Sequence, residues 1–231
     1  MNRKILLLVL IVFLGFLLRF YKITTVPPSL YVDEVSEGYN AYSILKTTRD
    51  EHGVFMPLVF EAFGEYKAPL YIYLLVPTIV VFGLGEFAIR LPSALFGTLT
   101  IFSVFFLAKA LLKSWKTATL GAFLFAISPW SIQFSRAGFE ANLMLFLLAS
   151  ALALMMHAKN NPKLLYLSAV LLGLSVNTYL AAKILVPLLL IILAILYKKE
   201  VFNSVRKVFI TFVIIILFYI PTVVAFGNLT A

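Results

Sequence analysis

No cysteine occurs in the 231 residues, which excludes a disulfide, an iron–sulfur cluster and a thiolate zinc site. Charge is scarce: 13% of the chain is Asp, Glu, Lys or Arg, ten residues are acidic, and histidine occurs twice. No phosphate-cradling glycine loop, Walker motif or helical His-x-x-x-His pair is present, nor any internal repeat or low-complexity segment. What is there is apolar. The chain is 62% hydrophobic with 22 Phe, and its mean hydropathy is +1.03. A soluble domain of this length does not need that much apolar surface, so the composition is that of an integral membrane protein.

Apolar runs lie at about 5–20, 69–84, 91–112, 117–134, 141–157, 163–181, 184–197 and 208–226. Ile5–Leu18 follows Arg3 and Lys4 as a signal sequence would. Arg19 to Lys22, rather than a small-x-small cleavage site, comes next, so it reads as an uncleaved anchor. The run 69–84 is short, opens with Pro69 and carries Pro77 at its centre. If it crossed the bilayer, nine of the twelve Lys and Arg after residue 84 would fall outside; laid along the outer interface, it leaves those nine inside. The positive-inside bias favours the second topology: seven spans, a cytoplasmic N-terminus and an outward C-terminus. The acids, not used to build it, sort cleanly. Eight cations and nine acids face out, and eleven cations with Glu200 alone face in. The net charge of +9 is therefore an orientation signal, not a nucleic-acid surface. Chemistry belongs on the extracytoplasmic face.

The first outer loop, about residues 21–86, is long for a plain connection. Asp33 and Glu34 open it, and two adjacent carboxylates at a membrane edge cost solvation energy unless something uses them. One reading makes Asp33 the N-cap of a helix through Thr47, with Glu34 in its first turn and Val35, Tyr39, Tyr42 and Leu45 as an apolar face against the membrane. The other makes the pair catalytic, a general base for an incoming hydroxyl. Glu65 and Lys67 before Pro69 form either a loop ion pair or a phosphate-binding lysine beside a sugar- or metal-binding carboxylate. His52 is a turn residue or, with Glu65, part of a mixed metal site. Arg136 and Glu140, four apart, are a helical pair or a guanidinium and carboxylate brought against the first loop. Lys183, near the outer end of the fifth span, either snorkels or neutralises a phosphate. Asn228-Leu-Thr230 fits a glycosylation acceptor.

Taken in order, these features resemble the C-type polytopic glycosyltransferases that use polyprenyl-phosphate sugars, closest to glycosyltransferase family 39. That family includes the dolichyl-phosphate-mannose protein mannosyltransferases and the related aminoarabinose transferases. The residues carrying the resemblance are Asp33-Glu34 with Tyr39-Asn40-Ala41, Gly53 with Pro57, Tyr66-Lys-Ala-Pro-Leu-Tyr71, Phe82-Gly83, Arg90-Leu-Pro-Ser-Ala-Leu-Phe-Gly97, Ser128-Pro129 and Ser135-Arg136. The resemblance implies an inverting transfer outside the membrane, from a polyprenyl-phosphate sugar donor to a protein, lipid or glycan acceptor. Asp33 is then the general base, Glu34 its support, Lys67 the holder of the donor phosphate and Glu140 a second-loop acid. Glu65, Arg136 and Lys183 complete the expected substrate-binding set. No cofactor is expected, and a divalent metal is disfavoured because Tyr66 separates Glu65 from Lys67.

The expected fold is all-α, a polytopic membrane helical bundle of about seven spans with interfacial helices in the first loop. Residues 1–231 read as one module, the N-terminal half of a larger fold. The main alternative is a non-catalytic relative or subunit that binds polyprenyl phosphate. Transport fits less well, because mid-span positions lack the charges that ion and substrate pathways use.

Overall fold

The computed structural model describes residues 3–158, 161–196 and 205–229. Lys159, Lys198, Lys199, Glu200 and Thr230, used above for topology and the glycosylation pattern, lie outside the described residues. The architecture is all-α, with one small hairpin. Helices α1 (Arg3–Phe20) and α2 (Val32–Thr47) are followed by strands β1 (Phe60–Ala62) and β2 (Glu65–Lys67). Then come α3 (Pro69–Phe82), α4 (Glu86–Leu112), α5 (Trp115–Ile127), α6 (Pro129–Arg136) and α7 (Glu140–His157). Four more helices follow: α8 (Pro162–Val176), α9 (Ala182–Leu196), α10 (Val205–Leu217) and α11 (Ile220–Leu229). By length and composition α4, α7 and the segment Val205–Ala225 suffice to cross a membrane, and α3, α5, α8 and α9 are shorter apolar helices.

Prolines decide where helices bend and which backbone groups look for partners. The expected span 117–134 is two helices, because Ser128 caps α6 and Pro129 cannot continue α5. The carbonyls left at the end of α5 are taken by Arg19, which donates to Phe125 and Ala126 and also to the hydroxyls of Ser131 and Ser135. Arg136, at the end of α6, reaches the other way. It donates to the carbonyls of Leu18, Lys22 and Val26, where α1 ends and the first loop begins. The two arginines form a reciprocal clamp between α1 and α6, each set at carbonyls at or just beyond a helix end.

Pro92 acts similarly inside α4. It has no N–H for the Ala88 carbonyl, and the Thr78 hydroxyl of α3 supplies the missing bond at 2.9 Å. Tyr71 of α3 donates to the neighbouring Ile89 carbonyl at 3.0 Å. Helix α3 is thereby fixed against α4, with Tyr71, Ile72, Leu75 and Ile79 buried between them and α2. At Gly97 a side chain would collide with the Ser135 hydroxyl, so glycine is what lets α6 pack on α4. The apolar core is three clusters: α2, α3, α4 and α7 meet in one, α1, α4 and α5 in another, and α7 to α10 in the third.

Two local expectations are corrected. Asp33 is not the N-cap of α2. Tyr31 holds that position, and the Glu34 side chain folds back to accept the Tyr31 N–H at 2.9 Å. The apolar face of α2 expected against the membrane is also only half right. Val35 and Tyr39 are exposed, as such a face requires, but Tyr42 and Leu45 pack on the core, and Glu34, Ser36, Glu37 and Asn40 are buried. Cationic partners inside the fold draw the polar face inward.

The hairpin is the element that the sequence pattern did not announce. Its two-residue turn, Phe63-Gly64, has both residues at positive φ (55° and 79°), the type I′ geometry that matches strand twist. It delivers Lys67 at the end of β2, immediately before Pro69 opens α3.

Candidate active site

Consecutive acids on α2 part company. Glu34 is fully buried and accepts four hydrogen bonds: from Arg90 Nε at 2.8 Å and Arg90 Nη2 at 3.3 Å, from the Tyr31 N–H and from the Gly138 N–H at 2.8 Å. That is the full capacity of a carboxylate. Arg90 is equally saturated, because its remaining donors go to the carbonyls of Ile23, Pro27 and Ser29. The pair locks α2, the start of α4, the loop after α1 and the α6–α7 turn together.

Asp33 is the opposite case. Its side chain is 55% exposed, and one oxygen accepts from Lys67 Nζ at 2.6 Å. Lys67 is itself 12% exposed, and its ammonium also lies 3.8 Å from Glu37 Oε1. Glu37 is one helical turn after Asp33 and almost completely buried, with its second oxygen unpartnered. The carboxyl of Glu140, first residue of α7, comes within hydrogen-bond reach of Glu37. Burial, and then the neighbouring Glu140, pushes the Glu37 carboxyl well above the ordinary carboxylate range, with Lys67 opposing the shift. Asp33 and Glu37 thus flank the single ammonium of Lys67, and Glu140 stands beside Glu37.

Of the residues singled out by sequence, Asp33, Lys67 and Glu140 are brought together. Glu34 lies beside them but turns away to Arg90. Glu65 is exposed two residues before Lys67, a strand spacing that places both on one face of the hairpin. Arg136 does not pair with Glu140, because the helix breaks after Arg136 and its guanidinium goes to the first loop's carbonyls. Lys183 is half-buried in the first turn of α9. The turn before it is tied to this region, where the Leu70 N–H donates to the Asn177 carbonyl at 2.9 Å. His52 meets the Glu61 carbonyl and Glu51 rather than Glu65. Among the described residues no group of three His, Asp or Glu is arranged to hold a metal. The sequence reading gave no role to Glu37 or to Arg90. The spacing of four between Asp33 and Glu37 on a helix was the available signal for Glu37.

Beside the cluster, an open groove of about 340 Å³ runs along the other side of α2, lined by Leu30, Val35, Tyr39, Leu84, Glu86 and Ile89. An aromatic row, Tyr31, Phe139, Phe134 and Trp130, continues from the start of α2 across α6, with neighbouring ring centroids 4.7–5.4 Å apart.

The apolar helices and this architecture define an integral, multi-pass membrane protein. Its fold is similar to that in the crystal structure of ArnT from Cupriavidus metallidurans bound to undecaprenyl phosphate, with a TM-score of 0.63 and 15% identity. The match covers 93% of this chain and 40% of that one, so the chain spans well under half the length of that protein. Residues 66–225 match the dolichyl-phosphate-mannose-protein mannosyltransferase family, and the chain belongs to it. No curated protein matches the chain.

Proposed function

We propose that the chain carries the donor and base half of a glycosyltransferase that moves a sugar from a polyprenyl-phosphate carrier to an acceptor hydroxyl. The family and the fold support the class. The observation that carries the mechanism is the short, half-exposed Asp33–Lys67 pair. A donor phosphate competes with Asp33 for the Lys67 ammonium, so donor binding frees the carboxylate that the reaction needs. Asp33 then takes the proton of the acceptor hydroxyl, whose oxygen attacks the anomeric carbon opposite the phosphate. The bond from that carbon to the phosphate oxygen breaks and the configuration inverts. Lys67 holds the extra negative charge that the leaving polyprenyl phosphate acquires. No strong general acid is needed for so good a leaving group. The saturated Glu34–Arg90 pair keeps α2 in place beneath the base, and exposed Glu65 is positioned to accept from a sugar hydroxyl. Arg136 supports the first loop rather than touching substrate, and Lys183 supplies a second cation for the phosphate.

The charge asymmetry of the sequence supports an extracytoplasmic site and a cytoplasmic N-terminus. A second reading, in which this chain binds polyprenyl phosphate without completing transfer, is favoured by the Lys67 ammonium, which would hold a phosphate whether or not Asp33 acts as a base. Proteoliposomes carrying the protein and a panel of polyprenyl-phosphate sugars separate the two. Transfer in the wild type that is lost in Asp33→Asn supports catalysis; phosphate-dependent lipid binding with no transfer from any donor supports the second reading. Failure to bind any polyprenyl phosphate sinks both.

A further inference from the structure

We propose that Glu37 is a positioning residue for Lys67: its buried carboxyl, neutral or ionised, sets how much negative charge a phosphate meets at that lysine. This rests on the reading of Lys67 as the phosphate holder.

The geometry is specific. Glu37 lies 3.8 Å from the Lys67 ammonium, and 1% of its side chain reaches solvent. Its other oxygen is buried with no donor to accept from. A carboxylate with an unpaired oxygen in so dry a place would cost several kcal/mol or more; a proton on Glu37, favoured by the neighbouring Glu140, removes most of that cost. The remaining groups around Glu37 do not relieve it. Asp33 on the same helix adds negative charge, Glu34 is saturated by Arg90, and the buried Tyr71 of α3 gives its hydroxyl proton to Ile89. The cation that lies against Glu37 is Lys67, and Lys67 is already held by Asp33.

The consequence for a ligand follows from charge. With its proton in place, Glu37 adds no negative charge beside the ammonium. When the proton leaves, Glu37 grips Lys67 more tightly, and an approaching phosphate is repelled. Phosphate affinity at Lys67 therefore falls as pH rises and Glu37 ionises. The same event lowers stability. A carboxyl whose folded value is raised contributes its stability below the ordinary carboxyl range and loses it as pH rises through the folded value.

The test is equilibrium binding of undecaprenyl phosphate to the full chain in nanodiscs from pH 5 to 9, for wild type, Glu37→Gln and Lys67→Met. The lipid's own second ionisation is common to all three and cancels in ratios. The expected result is a ratio of Glu37→Gln to wild-type affinity near one at pH 5 that rises at least about tenfold by pH 9, the lower limit that one unit charge 4–6 Å away sets at an effective dielectric of roughly 20–40. A uniform loss of affinity at every pH, or a ratio that stays flat, overturns the proposal and leaves Glu37 a packing residue. If Lys67→Met binds as wild type does, the reading of Lys67 fails instead. Glu37→Asp, which keeps the acid but shortens its reach, should retain the pH dependence with altered midpoint; losing it would also count against a titrating carboxyl at this position.

Discussion

Asp33 and Glu34 are neighbours in sequence and opposites in structure. Glu34 has every lone pair occupied and no solvent contact, whereas Asp33 has one partner and more than half its surface free. Arg90 and Lys67 differ in the same way. Arg90 uses its planar fork fully, and Lys67 is a point charge with two acids to choose between. The contrast separates the roles that adjacent acids play. A saturated buried pair has nothing left to offer a substrate, and an unsaturated exposed pair has little to offer stability. Holding the backbone rigid at Glu34 is what makes the position of Asp33 definite.

That contrast can be broken most sharply at Arg90. Arg90→Met strands Glu34 as a buried charge, and the expected loss is about 3–5 kcal/mol of stability. Thermal unfolding of purified protein in detergent measures it. Lys67→Met should cost about 1 kcal/mol or less in the same assay, since its Asp33 partner is solvated. Equal losses for the two variants would erase the distinction.

The next largest effect is on rate. In proteoliposomes that support transfer, Asp33→Asn should lower turnover roughly 10²–10⁴-fold with no change in unfolding temperature. A fall in both would make Asp33 structural like its neighbour. Binding comes third: Lys67→Met should weaken polyprenyl phosphate about tenfold or more, the value of a charge-assisted hydrogen bond. The smallest effect is expected at Gly64→Ala. Its φ of +79° is strained for alanine by about 1 kcal/mol, with no atom in the way. Because that turn delivers Lys67, the variant should show a several-fold weaker phosphate affinity with a small change in stability. Unchanged affinity would mean that α3, rather than the hairpin, fixes the lysine.

Composition made the membrane class legible, and the order of short motifs made the family resemblance legible, because both depend on residue type alone. Asp33 and Lys67 were legible as candidates for the same reason, although only folding brings residues 34 positions apart to 2.6 Å. The fate of Glu34 was not legible. Its partners, Arg90 and the Gly138 N–H, come from two distant elements, and nothing local distinguishes it from Asp33. The break at Ser128 was written in Pro129 but masked by the unbroken apolar run. Helix α2 misled in the other direction. Tyr42 and Leu45 look like part of a membrane-facing stripe, yet they pack on the core beside buried Glu34 and Glu37, because Lys67 and Arg90 sit inside.

The reciprocal clamp of Arg19 and Arg136 also sets a schedule for biogenesis. Arg19 leaves the ribosome 116 residues ahead of the Ser135 hydroxyl that it binds. At roughly 5–20 residues per second that interval is on the order of ten seconds. Throughout it the first helix ends in an arginine with no partner beyond its own helix, so water and lipid headgroups must serve. The site-bearing loop is synthesised and threaded entirely within that interval, and its base is closed only when α6 arrives.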